Sequence, residues 1–293
     1  MGYSGVAMAF RSVGICLKPG QPQLAEVVRG LEKWLAERGL EVLLSRETAA
    51  VAGGSGLERH VLAGRVDLIL VLGGDGTLLA VARAVGHQPV PLLGVNLGTL
   101  GFLAEISQGE LYPTLEEVLA ERFHTEHRMR LSVSVQRGGR EEAGFLALND
   151  AVISNTVLSR MVDLETHADG APVAIYHADG LIAATPTGSS AYSLSAGGPL
   201  VLPGFEAILL TPICPHALTQ RPLVLPETCE IEVRVLDTRG GQAHLTVDGQ
   251  VGCPLDTDAR VVVQRSPHSV RLLVPPGRNR FEVMRKKLRW GER

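Results

Sequence analysis

The chain has 293 residues, 45% of them hydrophobic, with a formal net charge of -3. That length and apolar content suit one large or two ordinary domains with a sizeable core. The charge excludes the basic field expected of a nucleic-acid binder, and an aromatic content of only 4% argues against base-stacking platforms.

Val13 to Leu17 reads as a first strand. Leu24, Val27, Val28, Leu31 and Leu35 recur at helical spacing, so Gln23 to Arg38 reads as a helix, stopped by Gly39. Leu40 to Leu44 is a second strand, the stretch from Ala52 to Gly56 a mobile loop, and Leu57 to Gly64 a short helix. Leu68 to Leu72 is an unbroken apolar run of the kind buried on both faces of a sheet. A helix follows from Thr77 to Val85, then a strand from Val90 to Val95. This alternation predicts parallel βαβ units in an open sheet, with ligands at the carboxyl ends of the strands.

Gly73-Gly74-Asp75-Gly76-Thr77 falls at such an end. Glycines at a strand-to-helix turn let backbone N–H groups approach an anion. A carboxylate there needs a reason. Asp75 fits a base taking a hydroxyl proton, a metal ligand, a hydrogen-bond anchor for the loop, or a plain helix cap. Asn96 to Phe102 forms a second glycine-rich turn at the same edge. Thr114 and Glu117 have the spacing of a capping box opening a helix to about Arg122.

The pattern then changes to alternation of apolar and polar residues at 131–135, 162–166, 231–235 and 245–247. Dipeptides of hairpin type punctuate it: Gly138-Gly139, Asp169-Gly170, Asp179-Gly180, Gly240-Gly241 and Asp248-Gly249. The fold expected is thus an N-terminal Rossmann-like open α/β domain over 1–125 and a C-terminal antiparallel β-sandwich domain over 126–275. Helical spacing of Phe281, Met284 and Leu288 suggests a tail, 276–293, that completes the first domain. Trp34 and Trp290 read as packing residues and His216 as a structural histidine.

Two stretches are too polar for simple β structure. Asn149-Asp150 opens an apolar strand and reads, by itself, as a turn anchored by its own side chains. From Asp179 to Pro199, small hydroxyl residues and glycines surround one ring, Tyr192. Such a surface suits a nucleotide, and ordered loops of this length are uncommon without a role.

These pieces together resemble a bacterial-type NAD kinase over nearly the whole chain. The matching stretches are Gly73 to Thr77, Gly94 to Phe102, Asn149-Asp150, Asp179-Gly180, Thr185 to Tyr192 and Thr211 to His216. The first is shared with lipid kinases and more loosely with phosphofructokinases; the stretch from Thr185 to Pro199 is not. The resemblance implies phosphoryl transfer from ATP, with polyphosphate as a possible donor and a divalent metal, Mg2+, on the donor phosphates. The acceptor would be the 2′-hydroxyl of the adenosine ribose of NAD, giving NADP. It implies that Asp75 takes the hydroxyl proton beside Gly73, Gly74 and Gly76. Asn149 and Asp150 would hold the adenine-side ribose or base, Tyr192 and Ala191 the adenine, and Asp179 the nicotinamide end. Thr187, Ser190, Ser195, Arg160, His177 and Gln250 would add contacts. Departures from the family pattern are Asp150 where Glu is usual, Ser190 for Thr, and His177 where many relatives carry Arg. The last bears on the choice between NAD and NADH. The resemblance also implies NAD held between the two domains and a homo-oligomer, dimer or tetramer, assembled through the β domain.

Four dispersed cysteines without a CxxC pair suit reduced thiols in a cytoplasmic protein. The start has no basic leader, and no apolar run approaches a membrane span, so neither membrane nor nucleic acid is an expected partner. Two alternatives stand beside this reading: a lipid or sugar kinase on the same glycine turn, and an NAD(P)-binding sensor without catalysis.

Overall fold

The computed structural model describes residues 10–98, 101–156 and 161–290. Two compact units form, Met1–His127 with Val270–Arg293, and Arg128–Ser269.

The first unit opens with β1 (Ser12–Leu17), α1 (Ala25–Ala36), β2 (Glu41–Ser45), α2 (Arg46–Ala52), β3 (Gly56–Leu57) and α3 (Arg59–Ala63). It continues with β4 (Leu68–Gly73), α4 (Asp75–Val85), β5 (Leu92–Asn96), β6 (Ile106–Ser107), α5 (Leu111–Leu119) and β7 (His124–Arg128). Every residue of β1 and β4 is buried, as their unbroken apolar runs require. The two strands pair in parallel from Val13 opposite Leu68 to Leu17 opposite Leu72. Val13, Ile15 and Leu17 pack with Val28, Leu31 and Leu35 of α1 on one face. On the other, Gly14 lies against the side chains of Leu62 and Val66.

Helix α2 has no counterpart in the sequence reading, because Arg-Glu-Thr-Ala-Ala-Val-Ala carries no long apolar stripe. It is made by its cap. The Ser45 hydroxyl accepts the Thr48 N–H at 3.3 Å. The Thr48 hydroxyl then accepts the Leu17 N–H and donates to the Ile15 carbonyl, both at 2.9 Å, extending the edge of β1 beyond its pairing with β2. The capping box also differs from expectation. It is Ser107 with Glu110 that exchange side-chain bonds, while Thr114 is buried inside α5. The same spacing occurs twice, and only the first stands where the chain changes direction.

The second unit comprises β8 (Leu131–Arg137), β9 (Arg140–Ala147), β10 (Asp150–Asn155), β11 (Val162–Ala168), β12 (Ala171–Ala178) and β13 (Gly180–Ala184). After a short α6 (Tyr192–Ser195) come β14 (Ala207–Ile213), β15 (Leu223–Pro226), β16 (Ile231–Asp237), β17 (Ala243–Val247), β18 (Val251–Leu255) and β19 (Arg260–Arg265). They form two six-stranded sheets, ordered β15-β14-β13-β10-β17-β18 and β12-β11-β16-β19-β8-β9. One core joins Leu131, Val133, Leu164 and Val233 of the second sheet to Ile153, Leu181, Leu210 and Leu245 of the first, which makes a sandwich. The first sheet is covered on its other face too: Val152, Ile182 and Leu209 pack with Ala196 and Val201. That second cover explains why β13 and β14 are buried throughout and largely apolar rather than alternating.

Gly138-Gly139, Asp169-Gly170 and Asp248-Gly249 have paired positive φ angles, from 49° to 77°, and close tight hairpins as expected. Two dipeptides do something else. Asp179-Gly180 carries the chain from β12 in one sheet to β13 in the other. Gly180 is required there because a β-carbon would strike the Ile153 carbonyl. The left-handed pair near Gly240 is Arg239-Gly240, again between strands of different sheets.

The chain ends with β20 (Val270–Val274) and α7 (Arg280–Leu288). β20 falls inside the expected β-domain range, yet it joins the first unit's sheet, ordered β3-β2-β1-β4-β5-β20-β7, with Leu272 opposite Leu92. Val283 and Met284 are the buried residues of α7. Phe281 is 57% exposed, against the helical spacing that put it beside Met284, and Trp290, expected as a packing residue, is 52% exposed. Trp34 does pack, 5.5 Å from the Tyr112 ring with the Arg38 guanidinium over it at 3.6 Å.

Candidate active site

In the first unit, Gly73, Gly74 and Gly76 sit where β4 ends and α4 begins. The helix starts two residues earlier than its apolar spacing indicates, with Gly74 as the cap residue and Asp75 in the first turn. Asp75 is therefore not the helix cap. Its carboxylate accepts three backbone N–H groups where the second glycine-rich turn ends, from Phe102 at 2.8 Å and, just after the turn, from Leu103 and Ala104 at 3.0 Å. Gly101 is required beneath it, since a β-carbon there would overlap the carboxylate. The two turns are joined again where the Leu97 N–H meets the Gly73 carbonyl at 3.1 Å. Asn96 accepts the Gly98 N–H at 2.7 Å. The structure thus realises the loop-anchor role for Asp75. An ionised carboxylate has about four acceptor positions, so roughly one is left for a ligand proton.

In the second unit, the two polar stretches singled out in the sequence meet. The Thr185 hydroxyl donates to the Leu148 carbonyl at 2.6 Å, and the Thr185 N–H to the Asn149 carbonyl at 2.9 Å. Gly188 packs so tightly on the Asn149 backbone that no side chain fits. A pocket of about 370 Å3 results, lined by Asn149, Asp150, Ala191 and Tyr192 together with Ser154, Thr246 and Asp248. Tyr192 is 47% exposed at its side. The side-chain oxygen of Asn149 is buried without a hydrogen-bond partner among the described residues. A buried unpaired acceptor is costly, and a ligand donor would satisfy it.

Asp248 is the group that sequence reasoning missed. Its carboxylate accepts the N–H groups of Leu148, Asn149 and Asp150, at 2.7 Å for Asn149, and so fixes the turn that presents Asn149. An Asp-Gly pair in a hairpin gave no hint of it. Burial, reinforced by the Asp248 charge, pushes the Asp150 carboxyl up to about 7. Near neutral pH a large fraction of it is therefore protonated and able to donate a hydrogen bond. Arg130, only 2% exposed, carries the compensating positive charge towards Asp248, and burial lowers its own pKa.

The remaining expected residues do not line this pocket. Thr187 is buried, and its carbonyl accepts from the Ser190 hydroxyl at 3.2 Å. Ser195 and Gln250 are exposed. Asp179 is exposed, its backbone bonded to Ile213 and Asn155. His177 holds the Asp163 carboxylate at 2.7 Å, and Arg239 shares that carboxylate at 3.2 Å. Burial pushes the Asp163 carboxyl up, and the bonds from His177 and Arg239 outweigh this and hold it below its usual range. The His216 N–H donates to the His177 carbonyl. Arg160 lies outside the described residues.

Known proteins match this chain along its length. The ATP-NAD kinase N-terminal domain family matches residues 13–123, and the ATP-NAD kinase C-terminal domain family residues 148–274. An NAD kinase of Solibacter usitatus is 48% identical over 97% of this chain and 99% of its own length. One of Syntrophotalea carbinolica is 46% identical over 97% and 100%. Among solved structures, yeast NADH kinase complexed with NADH aligns with a TM-score of 0.86 at 27% identity, covering 99% of this chain and 94% of that one. An NAD kinase from Archaeoglobus fulgidus in complex with ATP aligns at 0.76 and 26% identity, covering 95% and 98%. A lipid or sugar kinase would not be matched in both domains in this way. With both halves of the chain matched and nearly half its residues shared with such relatives, this protein belongs to the NAD kinase family, the phosphotransferases that convert NAD to NADP.

Proposed function

We propose that this chain transfers the terminal phosphoryl group of ATP to the 2′-hydroxyl of the adenosine ribose of NAD, with Asp75 as general base. The hydroxyl oxygen bonds to the γ-phosphorus, the bond to the β-phosphate oxygen breaks, ADP leaves, and the hydroxyl proton passes to Asp75. The observation that carries the assignment is the state of Asp75. Three backbone N–H groups orient its carboxylate and leave about one acceptor position open, at the mouth of a glycine turn suited to phosphate. In phosphoryl transfer the protein mainly positions groups and stabilises charge, so a rigidly held base suits the task.

The second unit contributes the adenosine site. Tyr192 stacks on the adenine, Ala191 borders it, the unpaired oxygen of Asn149 accepts from it or its ribose, and Asp150 donates in its protonated form. Gly73, Gly74 and Gly76 face the phosphates. Asp179, Thr187, Ser190, Ser195, His177, Gln250 and Arg160 belong to the wider NAD contact set. His177, already engaged by Asp163, offers fewer free donors than an arginine would. Among the described residues no group of three His, Cys, Asp or Glu side chains gathers that could hold a metal. A divalent ion, as is usual with nucleotide triphosphates, would ride on the donor phosphates and neutralise their charge.

Polyphosphate is an alternative donor on the same chemistry. A homo-oligomer built through the β unit is part of the same proposal and rests on the family resemblance. No described helix is long and apolar enough to cross a membrane. We place the protein in the cytoplasm on its four free cysteines. Incubation with NAD, Mg2+ and either ATP or polyphosphate, followed by assay of NADP, tests the proposal. Binding of NAD without NADP formation would favour the sensor instead.

A further inference from the structure

We propose that Lys18 and Arg59 hold the phosphate chain of the phosphoryl donor, a role that rests on the kinase reading above. A depression of about 320 Å3 in the first unit is lined by Lys18, Pro19, Arg59, Gly74, Gly76, Thr77 and Ala80. The topology brings its two cations together. Lys18 follows the last residue of β1, Arg59 opens α3, and both meet the end of β4 and the first turn of α4.

Lys18 has no acidic partner among the described residues, and Arg59 has one but keeps an unmatched donor. Lys18 is exposed and makes no ion pair among the described residues. Arg59 is only 14% exposed at its side chain. It forms an ion pair with Glu47 at 3.4 Å through one terminal nitrogen, while its Nε is buried with no hydrogen-bond partner among the described residues. A part-buried guanidinium with a buried, unmatched Nε–H, beside an ammonium without an ion pair, is a costly arrangement for a surface with no ligand. It is a suitable one for a chain of phosphates, which a guanidinium binds through paired N–H donors and an ammonium as a point charge.

The position of Asp75 removes the objection that a carboxylate would repel such a ligand. Asp75 does not line the depression, because its carboxylate is taken up by the N–H groups of residues 102–104. Gly74 and Gly76, its neighbours in the chain, do line it. A donor phosphate held there therefore lies beside the backbone of the residue that would take the acceptor's proton. Glu47, facing Arg59 from α2, is the opposing charge, and it leaves the pair of cations with one net positive charge before the helix N-terminus is counted.

The test uses the full chain and its Lys18→Met, Arg59→Met and Arg59→Lys variants. Calorimetry with inorganic tripolyphosphate alone reads the cradle, and steady-state NADP formation reads KM for ATP and for NAD separately. Loss of a charged hydrogen-bonding partner should weaken tripolyphosphate binding and raise the KM for ATP by about tenfold or more, with KM for NAD within about twofold. Arg59→Lys should recover part of the loss. Lys18 is exposed, so Lys18→Met keeps the readout if Arg59→Met fails to fold. Unchanged tripolyphosphate affinity in folded variants, or a rise in KM for NAD with none for ATP, overturns the proposal. A parent that binds tripolyphosphate but forms no NADP would refute the kinase reading and leave the cradle standing.

Discussion

Gly101 lies directly against Asp75: a β-carbon on the glycine would overlap the carboxylate that orders the loop from Phe102 to Ala104. Gly101→Ala should therefore push that loop away while leaving the carboxylate in the protein. Crowding of this kind costs about 1–3 kcal/mol. A fall of that size in unfolding free energy is expected from denaturant titration, with a turnover loss of about tenfold. An unchanged midpoint would mean that the loop is not held by Asp75 as described.

Asp248 accepts N–H bonds from three consecutive residues, and an amide in place of its carboxylate would turn an NH2 group towards some of the same donors. Asp248→Asn should cost about 1–3 kcal/mol of stability for groups left unpaired. It should also weaken NAD binding, because the turn bearing Asn149 loosens. Calorimetric titration with NAD checks this, and unchanged affinity in a destabilised protein would confine Asp248 to a folding role.

The carboxyl of Asp150 makes stability depend on pH. Its usual value is 3.8 and burial raises it to about 7 in the folded chain. The folded state thus binds the proton more tightly than the unfolded state. The associated stability is fully present below the unfolded value and is lost as pH rises through about 7. The loss should amount to about 2–4 kcal/mol. Asp150→Asn should flatten that part of the profile in urea titrations run from acid to neutral pH. A variant that kept the parental slope would place the titration elsewhere.

Tyr192 is 47% exposed, so removing its ring should spare the core. Tyr192→Ala should keep the parental melting temperature and weaken NAD binding by about tenfold, the worth of a base-stacking contact. Equal affinity for NAD would remove the ring from the site.

The sequence revealed what depends on local pattern. The apolar run of β4, its glycines and the helical spacing after them located Asp75 and the sheet edge it occupies. Tyr192 was legible because one ring stands out among small polar residues, whereas Asn149 read by itself as a self-anchored turn and gained a site role only from the resemblance; its side-chain oxygen is in fact unpaired among the described residues. What escaped was long-range. Asp248 reaches a partner 99 residues away, and its Asp-Gly setting is the ordinary chemistry of a hairpin. Lys18 and Arg59 carry no motif, and only the order of strands makes them neighbours. Helix α2 was hidden because a cap, rather than an apolar stripe, creates it.

The most direct test of the account is NADP formation from NAD, ATP and Mg2+ by the parent and by Asp75→Asn, each shown to be folded. The account predicts NADP from the parent and a turnover at least about 100-fold lower in the variant, the smaller end of what a general base contributes. That loss should exceed the loss in Gly101→Ala, which disturbs the loop but keeps the base. Near-parental turnover in a well-folded Asp75→Asn protein would contradict it.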